Sequence, residues 1–132
     1  MDGAGGIICN GNGDVLIEYE WGLGNLSNNR AEALALYQGL LQRQRLGIRT
    51  AIVIGDSAIV ISLMVHNRKA PNLALQRIID RCQAFDQQMK GNFFYHVLRS
   101  LNKEADEREN RACLHNVGNL RCNGSDQQCL LP

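Results

Sequence analysis

The chain has 132 residues, of which 45% are hydrophobic and 20% charged, and its formal net charge is +1. This length favours a single domain with a sizeable core. Because the net charge is small, overall charge cannot drive binding to nucleic acid, and any such binding would depend on local basic patches. A membrane-spanning protein is excluded because no apolar run approaches about 18 residues. The first residues also lack the pattern of a signal peptide.

The cysteines favour a reducing compartment. They are odd in number, and no two have Cys-x-x-Cys spacing, which is atypical of a disulfide framework or a zinc site. The five positions are Cys9, Cys82, Cys113, Cys122 and Cys129. We therefore expect an intracellular protein of the nucleus or cytoplasm.

A β-hairpin is predicted at the start of the chain. Asn-Gly dipeptides within residues 10–14 favour a tight turn, because its residues must tolerate positive φ. Residues 7–9 form an apolar run before the turn. Apolar residues at every second position of 15–21 alternate with Glu18 and Glu20, which is typical of a half-buried strand.

A long helix and a short strand follow the hairpin. Asn29 is predicted to cap the helix, Glu32 to close a capping box three residues later, and Gly47 to end the helix. Residues 51–54 are apolar and mostly β-branched, which favours a strand buried on both faces.

The remaining elements complete an alternating pattern of strands and helices. Helices are predicted over residues 57–66, 72–89 and 104–116, and a strand over residues 92–99. Strands that alternate with helices favour a layered α/β domain, here residues 1–116. Residues 117–132 are polar and are expected to form a loose C-terminal tail.

Four acidic residues stand at strand ends and helix starts, where carboxylates distant in sequence can converge. They are Asp2, Glu32, Asp56 and Asp106. Two carboxylates about 4 Å apart repel by roughly 4 kcal/mol at an effective dielectric constant near 20. A converged group therefore requires cations or raised pKa values. Magnesium binds a few carboxylates while retaining water, and paired cations cleave phosphodiesters.

Each of these acids also has a simpler interpretation. Glu32 fits a helix cap, and Asp56 fits a turn or the start of a helix. Asp106 lies among other acids in the first turn of a predicted helix, where they are common. Asp2 fits a solvated terminal residue. Only their joint occurrence favours a metal site.

Four segments of the sequence resemble the ribonuclease H family, in the plant form found beside reverse transcriptases of retroelements. These segments are DGAGGIICNGNGDVL, SNNRAEALALYQGL, AIVIGDSAIVI and FYHVLRSLNKEADERENRA. Each segment is weakly specific alone. Four of them in the right order make a specific match over nearly all of residues 2–114.

The resemblance implies a ribonuclease H-like three-layer α/β fold, in which helices flank a mixed five-stranded sheet whose first strand is truncated here. It also implies hydrolysis of the RNA strand of an RNA–DNA hybrid. Two Mg²⁺ ions, with Mn²⁺ as the alternative, would be held by the catalytic residues Asp2, Glu32, Asp56 and Asp106. Nucleic-acid contacts are implied for Asn28, Asn29, Arg30 and Asn102.

Two alternatives stay open on the sequence. One is a catalytically inactive, truncated ribonuclease H-like module that binds nucleic acid, or a retroelement remnant, because only Met1 precedes Asp2. The histidine-bearing loop that many active members have before the last acid is also replaced by residues 99–102. The other alternative is a related nuclease that acts on other structured nucleic acids. The sequence does not determine an oligomeric state.

Overall fold

The computed structural model describes residues 2–9, 15–24, 27–48, 51–55, 57–89, 91–96, 119–122 and 125–129. The predicted alternation of strands and helices is confirmed within these ranges, and the predicted helix over 104–116 lies outside them. The elements are β1 (Asp2–Cys9), β2 (Val15–Gly24), α1 (Asn28–Leu46), β3 (Ala51–Gly55), α2 (Ala58–His66), α3 (Leu73–Gln88), β4 (Asn92–His96), β5 (Asn119–Cys122) and β6 (Ser125–Gln128).

The described strands form two sheets. One is antiparallel with the order β1-β2-β5-β6, and the other is the parallel pair β3-β4. The predicted mixture of parallel and antiparallel strand pairs is therefore present among the described strands. Strand β1 pairs with β2 from Asp2 to Cys9, and none of the described strands pairs with members of both sheets.

Helix α1 begins earlier than predicted. Ser27 has an extended backbone (φ −69°, ψ 156°), and its side chain accepts a hydrogen bond from the backbone N–H of Arg30 at 3.3 Å. Ser27 is therefore the N-cap, and the predicted cap at Asn29 with a capping box to Glu32 is wrong. Gly47 ends the helix as predicted, with φ of 68° in the left-handed region that favours glycine.

Helices α2 and α3, both predicted from the sequence, each start at a polar cap. The Ser57 side chain accepts from the backbone N–H of Val60 at 3.3 Å, and the Asn72 side chain accepts from that of Leu75 at 2.8 Å. Each bond satisfies a backbone donor that the first helical turn leaves unpaired. The Ser57 cap fixes where α2 starts after β3, and the Asn72 cap fixes where α3 starts.

The core lies between α1, α3 and the antiparallel sheet. Trp21 is fully buried and stacks on Tyr37, with ring centroids 6.1 Å apart, and Tyr37 contacts Phe85 at 5.7 Å. Such aromatic pairs contribute about 0.5–1.5 kcal/mol each beyond the burial of their area. The buried hydroxyl of Tyr19 donates to the carbonyl oxygen of Ala35 at 2.7 Å. Strand β2 is thereby fixed against α1.

A buried polar network fixes the other end of α1. Arg43 is 2% exposed, and its Nε donates to the carbonyl oxygen of Ile48 at 3.1 Å. Its guanidinium also donates to Asn92 Oδ1, and Asn92 Nδ2 donates to Asp86 Oδ1 at 2.9 Å. Burial lowers the pKa of Arg43, while nearby Asp86 acts in the opposite direction. The network joins α1, α3 and the start of β4.

The expected loose tail is wrong for residues 119–122 and 125–129. Strands β5 and β6 form a hairpin whose first strand pairs with β2, from Tyr19 opposite Cys122 to Trp21 opposite Leu120. The indole N–H of Trp21 donates to the carbonyl oxygen of Cys129 at 3.1 Å. The hairpin is ordered because a buried indole requires this acceptor. The predicted domain boundary at residue 116 stays a prediction.

Candidate active site

Strand β1 and helix α1 begin at the same end of the molecule. Asp2, the first residue of β1, lies opposite Gly24, the last residue of β2. Gly24 precedes the N-cap of α1, Ser27, by three residues. Antiparallel pairing places the start of one strand beside the end of its partner, so the backbone of Asp2 lies beside the end of β2, three residues before the N-cap of α1 in the sequence.

The carboxyl end of β3 is connected to this same region. Ser57 follows the last residue of β3, Gly55, by two positions, and Ser57 Oγ donates a hydrogen bond to Asn29 Oδ1 at 3.3 Å. Asn29 lies in the first turn of α1. Ligand sites in α/β proteins commonly lie outside the carboxyl ends of parallel strands. The Ser57–Asn29 bond thus brings such a strand end to the N-terminus of α1.

Glu32 projects from the second turn of α1 and is half-buried. It follows Asn28 by four residues and Asn29 by three, and these spacings place side chains on one face of a helix. The carboxylate therefore lies on the same side of α1 as two predicted nucleic-acid contacts. Of the four predicted catalytic acids, Glu32 is the one whose side chain the structure describes.

The other three acids are described less fully. Only the backbone of Asp2 is described, and Asp56 and Asp106 lie outside the described residues. Among the side chains that the structure does describe, no group of three or more His, Cys, Asp or Glu is arranged to hold a metal. The convergence of four carboxylates therefore stays a prediction.

The first turn of α1 presents polar groups suited to a phosphate. Asn28 is exposed, and Asn29 and Arg30 are half-buried. The Nε of Arg30 is enclosed and has no hydrogen-bond partner in the structure. The N-terminus of a helix carries unpaired N–H groups and a partial positive charge, which favour anions. Asn102, the fourth predicted contact, lies outside the described residues.

Sequence reasoning identified Ser57 as the start of α2 but did not predict its contact with Asn29. The local signal was the Asp-Ser pair after an apolar run, and this signal indicates a cap without indicating a partner. The partner lies 28 positions earlier in the chain. The site therefore includes one positioning residue that only the tertiary structure identifies.

The chemistry of the candidate donors fits a hard divalent cation. Carboxylate and amide oxygens are the ligands that Mg²⁺ prefers. Softer ions prefer thiolates, but Cys82 is fully buried and directs its thiol to the carbonyl oxygen of Ala33 at 3.7 Å. Burial raises the pKa of the Cys82 thiol, which keeps the thiol protonated and unsuited to metal binding.

None of the described helices is both long and apolar enough to cross a bilayer.

Comparison with known proteins identifies the class to which this fold and site belong. The sequence profile of the reverse transcriptase-like family, which has a ribonuclease H-like fold, matches residues 2–112. The chain therefore belongs to this family, and the predicted membership of the ribonuclease H family is confirmed. No curated protein matches the sequence at a significant level.

Solved structures of ribonucleases H resemble the whole domain. RNase H1 from Halobacterium salinarum is 25% identical with a TM-score of 0.77, and 83% of each chain is covered. The N-terminal RNase H domain of a Mycobacterium tuberculosis protein is 26% identical with a TM-score of 0.77, covering 85% of this chain and 90% of that one. LC11-RNase H1, solved in complex with an RNA/DNA hybrid, is 26% identical with a TM-score of 0.75, and 84% of each chain is covered.

These similarities confirm the predicted fold class. The chain has the ribonuclease H-like α/β fold, and it is an enzyme domain of the ribonuclease H type. They extend over more than four-fifths of this chain in each case, so the likeness is not confined to one motif.

Proposed function

We propose that this chain is an endoribonuclease that hydrolyses the RNA strand of RNA–DNA hybrids with the help of divalent cations. The observation that carries the proposal is the Ser57–Asn29 hydrogen bond, which holds the carboxyl end of β3 beside the face of α1 that bears Glu32. The likeness to LC11-RNase H1, whose structure contains an RNA/DNA hybrid, supports the choice of substrate.

Four carboxylates of the chain would hold the cations. Their residues are Asp2, Glu32, Asp56 and Asp106. A pair of bound Mg²⁺ ions supplies an activated water and neutralises the charge that develops on the leaving 3′ oxygen. The Ser57–Asn29 hydrogen bond holds the start of α2 against the first turn of α1. It would thereby keep the segment that carries Asp56 at a constant distance from the helix that carries Glu32. This limits the rearrangement needed when substrate binds.

The first turn of α1 would bind and orient the nucleic acid. Asn28 and Asn29 offer amide donors and acceptors to a 2′-hydroxyl, which only the RNA strand of a hybrid carries. Arg30 offers a planar guanidinium to a phosphate oxygen. We assign Asn102 to the same contact surface from the resemblance alone. The bond from Ser57 orients Asn29, so Ser57 acts as a positioning residue.

The cellular setting is part of the same proposal. Cys82, Cys122 and Cys129 are free, which supports a reducing compartment, the nucleus or cytoplasm. The match to the reverse transcriptase-like family is compatible with an origin in a retrotransposon, and we propose a plant host from the resemblance of the sequence motifs alone.

A cleavage assay on a labelled hybrid tests the proposal. We expect internal cuts in the RNA strand, an intact DNA strand, products with 5′-phosphate ends, and no cleavage after EDTA is added. The Asp56→Asn variant should lose activity, whereas Asp80→Asn, which alters an exposed carboxylate on α3, should retain it. Equal product from the wild type and Asp56→Asn would contradict the proposal.

A second candidate function is binding of a hybrid without cleavage. One observation favours it: among the described strands, none joins the sheet of β1 to the sheet of β3. Within the described part of the chain, no shared ladder of hydrogen bonds therefore joins the backbone of Asp2 to β3. A non-catalytic module would retain the hybrid in a gel-shift assay with Mg²⁺ present and yield no cut RNA.

A further inference from the structure

The β5–β6 hairpin lies outside the region that the family profile matches. That match covers residues 2–112, whereas the two strands of the hairpin begin at Asn119 and Ser125. The hairpin nevertheless packs on the domain, because β5 pairs with β2 and because Cys122 and Cys129 contact the hydrophobic core. The docking of this hairpin is therefore a property of this chain and does not follow from its family.

Cys129 joins the hairpin to two fully buried side chains. Gln38 Nε2 donates a hydrogen bond to Cys129 Sγ at 3.6 Å, and the indole N–H of Trp21 donates to the Cys129 carbonyl oxygen at 3.1 Å. Gln38 Oε1 accepts from Gln42 Nε2 at 2.7 Å, which holds the Gln38 amide in one orientation. The same residue therefore attaches the hairpin to α1 through its sulfur atom and to β2 through its carbonyl group.

Cys129 is the best placed to react of the three thiols that the structure describes. It is half-buried, so part of the residue is open to solvent. Burial raises the pKa of the fully buried Cys82 thiol. Burial is also the main cause of the raised pKa of Cys122, and nearby Arg45 opposes it. Because the thiolate is the nucleophilic form of cysteine, burial makes both of these thiols less reactive.

Neither of the other two described thiols is placed to form a disulfide with Cys129. Cys122 lies opposite Ser125, four positions before Cys129 in the sequence, which separates the two cysteines by roughly 13 Å along the strand direction. A disulfide requires Cα atoms within about 7 Å of each other. Cys82 directs its thiol into the core, toward the carbonyl oxygen of Ala33 at 3.7 Å. Oxidation of Cys129 by a disulfide therefore ends at a mixed disulfide with a small molecule.

We propose that Cys129 is a thiolation site, at which a low-molecular-weight disulfide such as glutathione disulfide releases the β5–β6 hairpin from α1 and β2. The Cys129 thiolate attacks one sulfur atom of the disulfide, a bond forms between Sγ and that sulfur, and the original S–S bond breaks. The other half of the disulfide leaves as a thiolate and takes up the proton that Cys129 released. An excess of free thiol reverses the exchange and restores the docked hairpin.

Modification of the sulfur atom acts on both attachments of the hairpin. The Gln38 amide that contacts Sγ is fully buried, so a peptide-sized group on Sγ has no space there and must turn toward solvent. The carbonyl group of Cys129 then moves with its side chain and leaves the indole of Trp21. The remaining ladder between β5 and β2 covers three residue pairs, and a two-stranded hairpin is at best marginally stable by itself. The hairpin therefore detaches when Cys129 carries the added group.

Mass spectrometry and hydrogen exchange of the full chain test the proposal. Incubation with glutathione disulfide should attach glutathione to Cys129, as mapped by peptide mass, and dithiothreitol should remove it. In the modified protein, amides of residues 119–128 should exchange about tenfold faster or more, as expected for local opening, whereas amides of α3 should not change. A wild type that carries glutathione on Cys129 and keeps slow exchange in the hairpin overturns the proposal, as does thiolation that leaves Cys129 unmodified.

Two variants assign the effect to one thiol. In Cys129→Ser, glutathione disulfide should leave exchange of the hairpin unchanged, because serine cannot form the mixed disulfide. Cys122→Ser is the matched control, since it removes the other thiol of the same hairpin, and it should respond like the wild type. Equal acceleration of hairpin exchange in Cys129→Ser and Cys122→Ser overturns the proposal. None of these measurements depends on cleavage, so the result is independent of the proposed ribonuclease activity.

Discussion

Ser57 Oγ donates a hydrogen bond to Asn29 Oδ1 at 3.3 Å, which joins the segment after β3 to the first turn of α1. The same oxygen accepts from the backbone N–H of Val60 at 3.3 Å. One hydroxyl therefore both caps α2 and holds α2 against α1. The Ser57 side chain therefore helps to fix the segment after β3 relative to Glu32 on α1.

The first prediction separates these two roles. Ser57→Ala should lower the free energy of unfolding by about 0.5–2 kcal/mol, because α2 loses its cap. Asn29→Ala keeps the cap and should cost less. Both should reduce hybrid cleavage, because both release the junction from α1. Urea denaturation and initial cleavage rates are the measurements. An Asn29→Ala variant with the cleavage rate of the wild type would show that the bond does not position the site.

The second prediction concerns Glu32. Glu32→Gln removes a charged metal ligand and should reduce cleavage by about 100-fold or more, since a bound metal stabilises the transition state by several kcal/mol. Mg²⁺ should raise the melting temperature of the wild type more than that of Glu32→Gln, because a ligand stabilises the state that binds it. An equal rise in both proteins would remove Glu32 from the metal site.

The third prediction is a loss of stability at alkaline pH. Burial raises the pKa of Cys82 above the ordinary value of 9.0, and burial is also the main cause of the raised pKa of Cys122. The unfolded chain then releases these protons at a lower pH than the folded chain. Their contribution to stability is complete below about pH 9 and is lost as pH rises toward the folded pKa.

Urea denaturation under reducing conditions checks this dependence. We expect a level free energy of unfolding from neutral pH to about pH 8.5 and a decline above about pH 9. Cys82→Ala should lower the plateau, because it leaves a cavity, and should weaken the decline. A decline of the same steepness in Cys82→Ala would show that Cys82 does not contribute to it.

The fourth prediction concerns the buried network at the end of α1. Asn92→Leu removes one acceptor of the buried Arg43 guanidinium and should lower the free energy of unfolding by about 1–3 kcal/mol, because a buried charged donor then loses one of its hydrogen bonds. Adding Arg43→Met to Asn92→Leu should recover part of this loss. A double variant less stable than Asn92→Leu alone would indicate that Arg43 stabilises the fold without Asn92.

Much of the fold could be predicted because its signals are local. Asn-Gly turn residues, Gly47 after a helical run and Ser57 before an apolar segment each act within a few residues. The error at the start of α1 has a local cause as well. Ser27, Asn28 and Asn29 are all good N-cap residues, and only the folded backbone selects Ser27.

The elements that the sequence did not reveal depend on contacts between distant residues. The β5–β6 hairpin has a polar sequence without alternation, and it is fixed by pairing with β2 and by the bond from Trp21 to Cys129. The link between Ser57 and Asn29 is likewise not encoded in either neighbourhood. The grouping of the described strands into two sheets depends on which strand edges meet, and the periodicity of a single strand does not predict that.

The environment of Trp21 makes the protein an optical reporter of its own C-terminal hairpin. Trp21 is the only tryptophan in the chain, is fully buried and bonds to a carbonyl 108 positions away. If the β5–β6 hairpin detaches from the sheet, the bond to the Cys129 carbonyl breaks and water reaches the indole. The fluorescence emission of Trp21 then shifts to longer wavelength. The colour of the emitted light thus distinguishes a detached hairpin from a docked one, without any added label.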